Sequence, residues 1–122
     1  RYQVDVSAEA TFIEAQSNPG EGRFVFTYTL KISNNASLPA QLLHRYWKIT
    51  DGEGGVREVH GDGVVGEQPT IVPGDAFTYT SGAILETAVG TMEGFFEMVS
   101  ADGEIFKAKI PVFTLLNPGA LH

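Results

Sequence analysis

The run Gly61-Asp62-Gly63-Val64-Val65-Gly66 matches the G-x-G-x-x-G pattern, and it is the one stretch of this chain that invites a specific chemical claim. In a dinucleotide-binding unit such glycines permit a tight turn and close approach of the backbone to a pyrophosphate. The helix that follows aims its free amides at the phosphates. That chemistry needs a strand before the pattern and a helix after it. Here Glu67-Gln68-Pro69 follows instead. Proline cuts short any helix begun at Gly66, so the dinucleotide reading fails.

Three uses of the segment stay open. Successive amides of a glycine-rich turn can form an anion-binding concavity without a helix. Gly61, Asp62, Gly63, Val64, Val65, Gly66 and Glu67 are then the candidate ligand-binding residues. Asp62 and Glu67 repel a phosphate unless a metal intervenes, and His60, Asp62 and Glu67 are the candidates to hold one. The third use is structural: glycines supply positive φ where two strands connect.

Elsewhere the chemistry is sparse. His44, His60 and His122 show neither H-x-H nor H-E-x-x-H spacing. His44, beside Arg45, is expected to make a structural hydrogen bond, and His60 to line the mouth of the glycine loop. The chain has no cysteine, which excludes a disulfide scaffold, a thiolate zinc site and a cysteine nucleophile. Ser81-Gly82 lacks both a G-x-S-x-G frame and a partner base. No catalytic residue and no cofactor is therefore assigned. Asp51, Glu53, Glu58, Asp62 and Glu67 crowd one region and read as the solvated face of a hairpin. Their field suits a divalent cation or a basic partner surface.

The elements that must position these residues are all strands. At 122 residues the chain is expected to form one domain spanning 1–122, with 43% hydrophobic residues to fill its core. Residues 2–13 alternate, with Val4, Val6, Ala8, Ala10 and Phe12 on one face. Residues 23–33 alternate again through Phe24, Phe26, Tyr28, Leu30 and Ile32. Further strands are predicted over 41–50, 56–60, 70–72, 75–81, 91–100 and 105–113, separated by turn chemistry such as Pro73-Gly74 and Asp102-Gly103. In the last of these, Phe106, Ala108, Ile110 and Val112 are set against Lys107, Lys109 and Phe113. Ala83–Val89 is read as a crossing loop. Trp47, mid-strand, is placed in the core. Strands at this spacing predict an all-β fold, an immunoglobulin/fibronectin type III-like β-sandwich of seven to eight antiparallel strands.

The net charge of −7 argues against nucleic acid and against an anionic membrane surface as partners. No apolar run approaches the ~20 residues of a spanning helix, and no leader is legible at the first residues. A cytoplasmic location is expected.

The chain resembles the ApaG family. The matching stretches are His44-Arg45-Tyr46-Trp47-Lys48-Ile49-Thr50-Asp51-Gly52, the hexapeptide with Glu67-Gln68-Pro69, Ile71-Val72-Pro73-Gly74, Phe77-Thr78-Tyr79-Thr80-Ser81-Gly82, Gly90-Thr91-Met92-Glu93-Gly94 and Ile110-Pro111-Val112-Phe113-Thr114-Leu115. The resemblance implies a fibronectin type III-like sandwich in a small bacterial cytosolic protein. It also implies kinship with domains that serve eukaryotic F-box and polymerase-interacting proteins as interaction modules. The bacterial members are associated with magnesium and cobalt resistance or efflux, and their gene often neighbours a diadenosine tetraphosphatase gene. The family brings no catalytic residues. Ala88 and Phe96 depart from its pattern, where proline and tyrosine are usual. The expectation is a non-catalytic module with a protein partner, bound through the loops at one end of the sandwich and the glycine segment. A homodimer through a sheet edge is possible in such a fold. The alternative is a binder of pyrophosphate, a nucleotide or a divalent metal at 61–66.

Overall fold

The computed structural model describes residues 3–121. Tyr2 and His122 lie outside them. Eight strands form two antiparallel sheets packed face to face: β1 (Val4–Phe12), β2 (Phe24–Asn34), β3 (Ala40–Asp51), β4 (Val56–Asp62), β5 (Thr70–Ile71), β6 (Ala76–Leu85), β7 (Val89–Ser100) and β8 (Ile105–Leu116). The small sheet runs β1-β2-β6. The large one runs β4-β3-β7-β8, with β5 paired to the start of β3. Only short 3-10 turns interrupt this, at Glu14–Gln16, Pro19–Glu21 and Pro118–Leu121.

Alternation explains most of the packing, because successive side chains on a strand face opposite sides. Phe26, Leu30 and Ile32 of β2 are fully buried, with Phe24 and Tyr28 nearly so. Phe96, Met98, Ile110 and Leu115 face them from the large sheet. Phe96 lies in the core with its ring edge-on to Tyr79. Trp47 is 2% exposed, held edge-on between Tyr28 (5.3 Å) and Phe113 (5.9 Å). Removing a side chain so enclosed costs about 3–5 kcal/mol.

Two bulges break the alternation, and both matter. In β3 the register to β7 shifts between Leu42 and His44. Leu42 points inward, and after the extra residue Arg45 and Trp47 do so, which turns His44 and Tyr46 outward. In β8 the register shifts where Met92 pairs with Phe113 and Gly94 with Ile110, so Pro111 and Val112 absorb the extra residue. The sequence alternation had put Val112 inward and Phe113 outward. The structure reverses both: Val112 is 56% exposed, and Phe113 packs on the core against Trp47. Proline has no amide to give to a ladder, which favours a bulge at that point.

The predicted crossing loop also shortens. Ala83–Leu85 complete β6 and Val89 opens β7, leaving Glu86–Ala88 as the connection. Ala83 and Leu85 are buried core residues, so the alternation of β6 continues through them. At the other end of β2, fully buried Asn34 ties three segments together. Its amide donates to the carbonyls of Ile71 (2.8 Å) and Leu38 (2.9 Å), and its oxygen accepts from the Ala36 amide (2.9 Å).

The sandwich is closed on one flank and open on the other. β1 of the small sheet packs along β8 of the large one. On the opposite flank the edge strands are β6 and β4, and a cleft of about 620 Å³ lies between them.

Candidate functional site

The glycine pattern is divided between a strand and a turn. Gly61 and Asp62 finish β4, while Val64, Val65, Gly66 and Glu67 make a two-residue hairpin loop. Val64 and Glu67 exchange backbone hydrogen bonds (2.8 and 2.9 Å), and Val65 and Gly66 take positive φ of 43° and 81°. Positive φ at both central residues is the mark of a type I′ turn. Each glycine has an internal reason. A Cβ at Gly61 would meet the Arg45 guanidinium at 2.5 Å; one at Gly63 would meet the Glu67 carbonyl oxygen, where φ is also +59°. Gly66 supplies the left-handed turn residue. The amides of Gly63, Val64 and Glu67 donate to the carbonyls of Leu43, Glu67 and Val64. Arg45 Nη1 binds the carbonyls of Asp62 (3.0 Å) and Gly63 (2.9 Å). The geometry therefore turns much of this segment's polar backbone toward the protein itself.

The outer face of the large sheet gathers the candidate chemistry. On β3, His44 and Tyr46 stand opposite Asp62 and His60 of β4 and opposite Glu97 and Phe95 of β7. The Tyr46 ring stacks on Phe95 with centroids 5.0 Å apart and meets His60 at 4.9 Å. Lys107 of β8 places its ammonium 4.5 Å from the centre of the Phe95 ring, a cation–π contact. The result is a four-strand ladder, His60–Tyr46–Phe95–Lys107, beside a shallow groove of about 520 Å³.

Acid–base groups border the ladder. Tyr46 Oη donates to Glu58 at 2.5 Å. That bond, with burial and the charges of Glu58 and Glu93, holds the phenol above its ordinary value of 10.0. His44 sits between two carboxylates, with Nδ1 2.9 Å from Glu97 and Nε2 3.4 Å from Asp62. The carboxylates lie on opposite nitrogens of one ring and do not converge on a common point. Among the described residues no group of three or more histidine, aspartate or glutamate side chains is arranged to hold a metal ion. The predicted set of His60, Asp62 and Glu67 is divided: His60 is taken up by Tyr46, Asp62 faces His44, and Glu67 lies on the far side of the turn.

Sequence reasoning reached His60 and Asp62 but missed Tyr46, Phe95 and Glu97 as partners. Phe95 did carry a signal, since it falls out of register with buried Met92, Phe96 and Met98.

Comparisons with known proteins bear on the fold and the family. The family model of the ApaG domain matches residues 14–100. Protein ApaG of an Azoarcus species is 53% identical over 99% of this chain and 95% of its own. Protein ApaG of Pseudomonas putida is 52% identical over the whole of this chain and 97% of its own. A crystal structure described as an ApaA protein from Bordetella pertussis superposes with a TM-score of 0.94 at 45% identity, covering 96% of this chain and 95% of that one. A protein from Archaeoglobus fulgidus, 13% identical with a TM-score of 0.55 over 92% of both chains, shares the fold alone. These relatives' names specify no reaction. With the family model matched over most of its length and full-length relatives at about half identity, this chain belongs to the ApaG family and carries an ApaG domain.

Proposed function

We propose that the chain is a non-catalytic interaction module that docks a protein partner on the outer face of its large sheet. The observation that carries this reading is the Tyr46–Phe95–His60 aromatic ladder, which sits on a sheet face instead of in the core. Aromatic side chains give large contact area at small entropic cost and dominate binding hot spots. β4 is an edge strand that carries Glu58 and Asp62, and its outer edge leaves backbone groups for a partner strand. Those carboxylates favour a basic partner segment, consistent with the chain's charge of −7. The cytoplasm is the compartment that fits a cysteine-free bacterial-type domain. A link to magnesium or cobalt handling would then run through the partner.

The test is affinity capture from the native host with wild-type protein and with Tyr46→Ser and Phe95→Ser. Both positions are outward-facing, so the variants are expected to stay folded, as thermal melts will show. A specific partner held by the wild type, weakened by salt and lost from both folded variants supports the proposal. Equal capture by wild type and variants sinks it.

A further inference from the structure

The cleft between β4 and β6 carries a second site, which shares only Arg45 with the groove beside the aromatic ladder. Arg23, Arg45 and Arg57 all line it, although the chain has only 8 lysines and arginines against 15 acidic residues. No aspartate or glutamate is among its lining residues. Asp51 and Glu86 border the neighbouring hollow, beyond Arg57. Among the described residues none of the three guanidiniums forms an ion pair with a carboxylate; their hydrogen-bond partners are main-chain carbonyls. Arg23 Nε bonds to Gln16 (3.2 Å), Arg57 Nη2 reaches Ile84 at 3.5 Å, and Arg45 holds Asp62 and Gly63 through Nη1 alone. A guanidinium has five N–H donors, so each keeps donors to spare.

The floor is apolar and aromatic. Tyr28 and Trp47 line it while being 7% and 2% exposed, and Ser81 adds a hydroxyl at the rim. A cleft of about 620 Å³ falls in the range of small-molecule sites, roughly 300–1,000 Å³. Charges beside a low-dielectric floor act more strongly than charges in open water. Arginine also matches carboxylate and phosphate oxygens in paired geometry. From this juxtaposition we propose that the cleft binds a small organic anion, its phosphate or carboxylate group held by Arg23, Arg45 and Arg57 and its apolar body resting over Tyr28 and Trp47.

The test is a 1H–15N NMR titration of the full chain with phenyl phosphate, benzoate and inorganic phosphate to about 10 mM, which detects millimolar binding. Phenyl phosphate or benzoate is expected to shift the Val59, Ser81 and Gly82 amides and the Trp47 indole in a saturable way. Whichever of the two binds more tightly identifies the head group. Inorganic phosphate, which lacks the apolar body, is expected to bind several-fold more weakly. Arg23→Gln and Arg57→Gln, both exposed positions, are expected to weaken binding roughly tenfold each, as the loss of a charge-assisted hydrogen bond implies. Lys31→Gln removes the same charge from the outer face of β2 and is the control. The proposal is overturned if no probe shifts these signals. It is equally overturned if the arginine variants bind as the wild type does, if Lys31→Gln weakens binding equally, or if inorganic phosphate matches both organic anions.

Discussion

Val65 is the only non-glycine residue with positive φ among the described residues, at 43°, and it is β-branched. A left-handed backbone brings Cβ against the neighbouring carbonyl and costs roughly 1–2 kcal/mol for an ordinary residue. Asparagine adopts this conformation far more readily, and Asn-Gly is a preferred pair for a type I′ turn. The next residue is already Gly66 at φ 81°. Val65→Asn should therefore recover most of the strain. Against that stands the lost burial. Val65 is 55% exposed, so it forfeits less than half of the ~1.5 kcal/mol for a fully buried valine, about 0.7 kcal/mol at most. The net expectation is a gain of about 0.5–1 kcal/mol. For 122 residues the unfolding entropy is about 0.26 kcal/mol per kelvin, so Tm should rise by ~2–4 °C. Urea denaturation should show a higher midpoint at unchanged slope. Val65→Ala, which keeps a Cβ in the left-handed region, should gain less than asparagine. A lower midpoint for Val65→Asn refutes the strain argument and would mean that the valine side chain makes contacts the turn depends on.

Further substitutions probe other features. Tyr79 is 7% exposed and its hydroxyl finds no hydrogen-bond partner; burial, reinforced by Tyr28 and opposed by Arg45, pushes its phenol well above 10.0. The unfolded chain then ionises first, so stability is intact below about pH 10 and falls above it by up to ~1.4 kcal/mol per pH unit. Tyr79→Phe should flatten that alkaline limb in pH-dependent urea melts and stabilise by about 1 kcal/mol at neutral pH. Asn34→Ala should cost about 3 kcal/mol for three lost bonds. Asn34→Asp should cost more at neutral pH, since a carboxylate would face the Ile71 and Leu38 carbonyls, and should recover in part on acidification. Gly61→Ala should cost about 1–3 kcal/mol by displacing the Arg45 guanidinium from two carbonyls. In an Arg45→Ala background the same change should be nearly neutral, which a double-mutant cycle measures.

The strands were legible because a half-buried strand writes its two faces into alternate positions, as Val4 to Phe12 and Phe24 to Ile32 do. The bulges were harder. Around Ala40-Gln41-Leu42-Leu43 both parities hold apolar residues, so no local pattern says which leucine is the extra one. Pro111 was a usable signal within a strand, yet the alternation around it suggested an unbroken ladder through Val112. Sites suffered most. Tyr46, Phe95 and His60 lie on three strands and meet only through register, and register depends on where the bulges fall. Arg23, Arg45 and Arg57 are separated by over ten residues each and converge only when two sheets close over one another. The glycine pattern is the opposite case: it is local and conspicuous, and much of its composition answers to Arg45, Glu67 and the needs of a turn.

The unequal flanks of the sandwich carry a consequence for motion. Where β1 lies along β8, separating the sheets must strip a continuous run of contacts. Between β6 and β4 there is already a gap. Thermal breathing should therefore swing the sheets apart about the β1–β8 side, as covers turn about a spine. Opening of that kind leaves the contacts along β1 and β8 in place and so requires less free energy than global unfolding. Amides of β4 and of the end of β6 should exchange with deuterium ahead of those in β2 and β7, which are central to their sheets. An occupant of the cleft would clasp the free side and slow that exchange while leaving the spine unchanged.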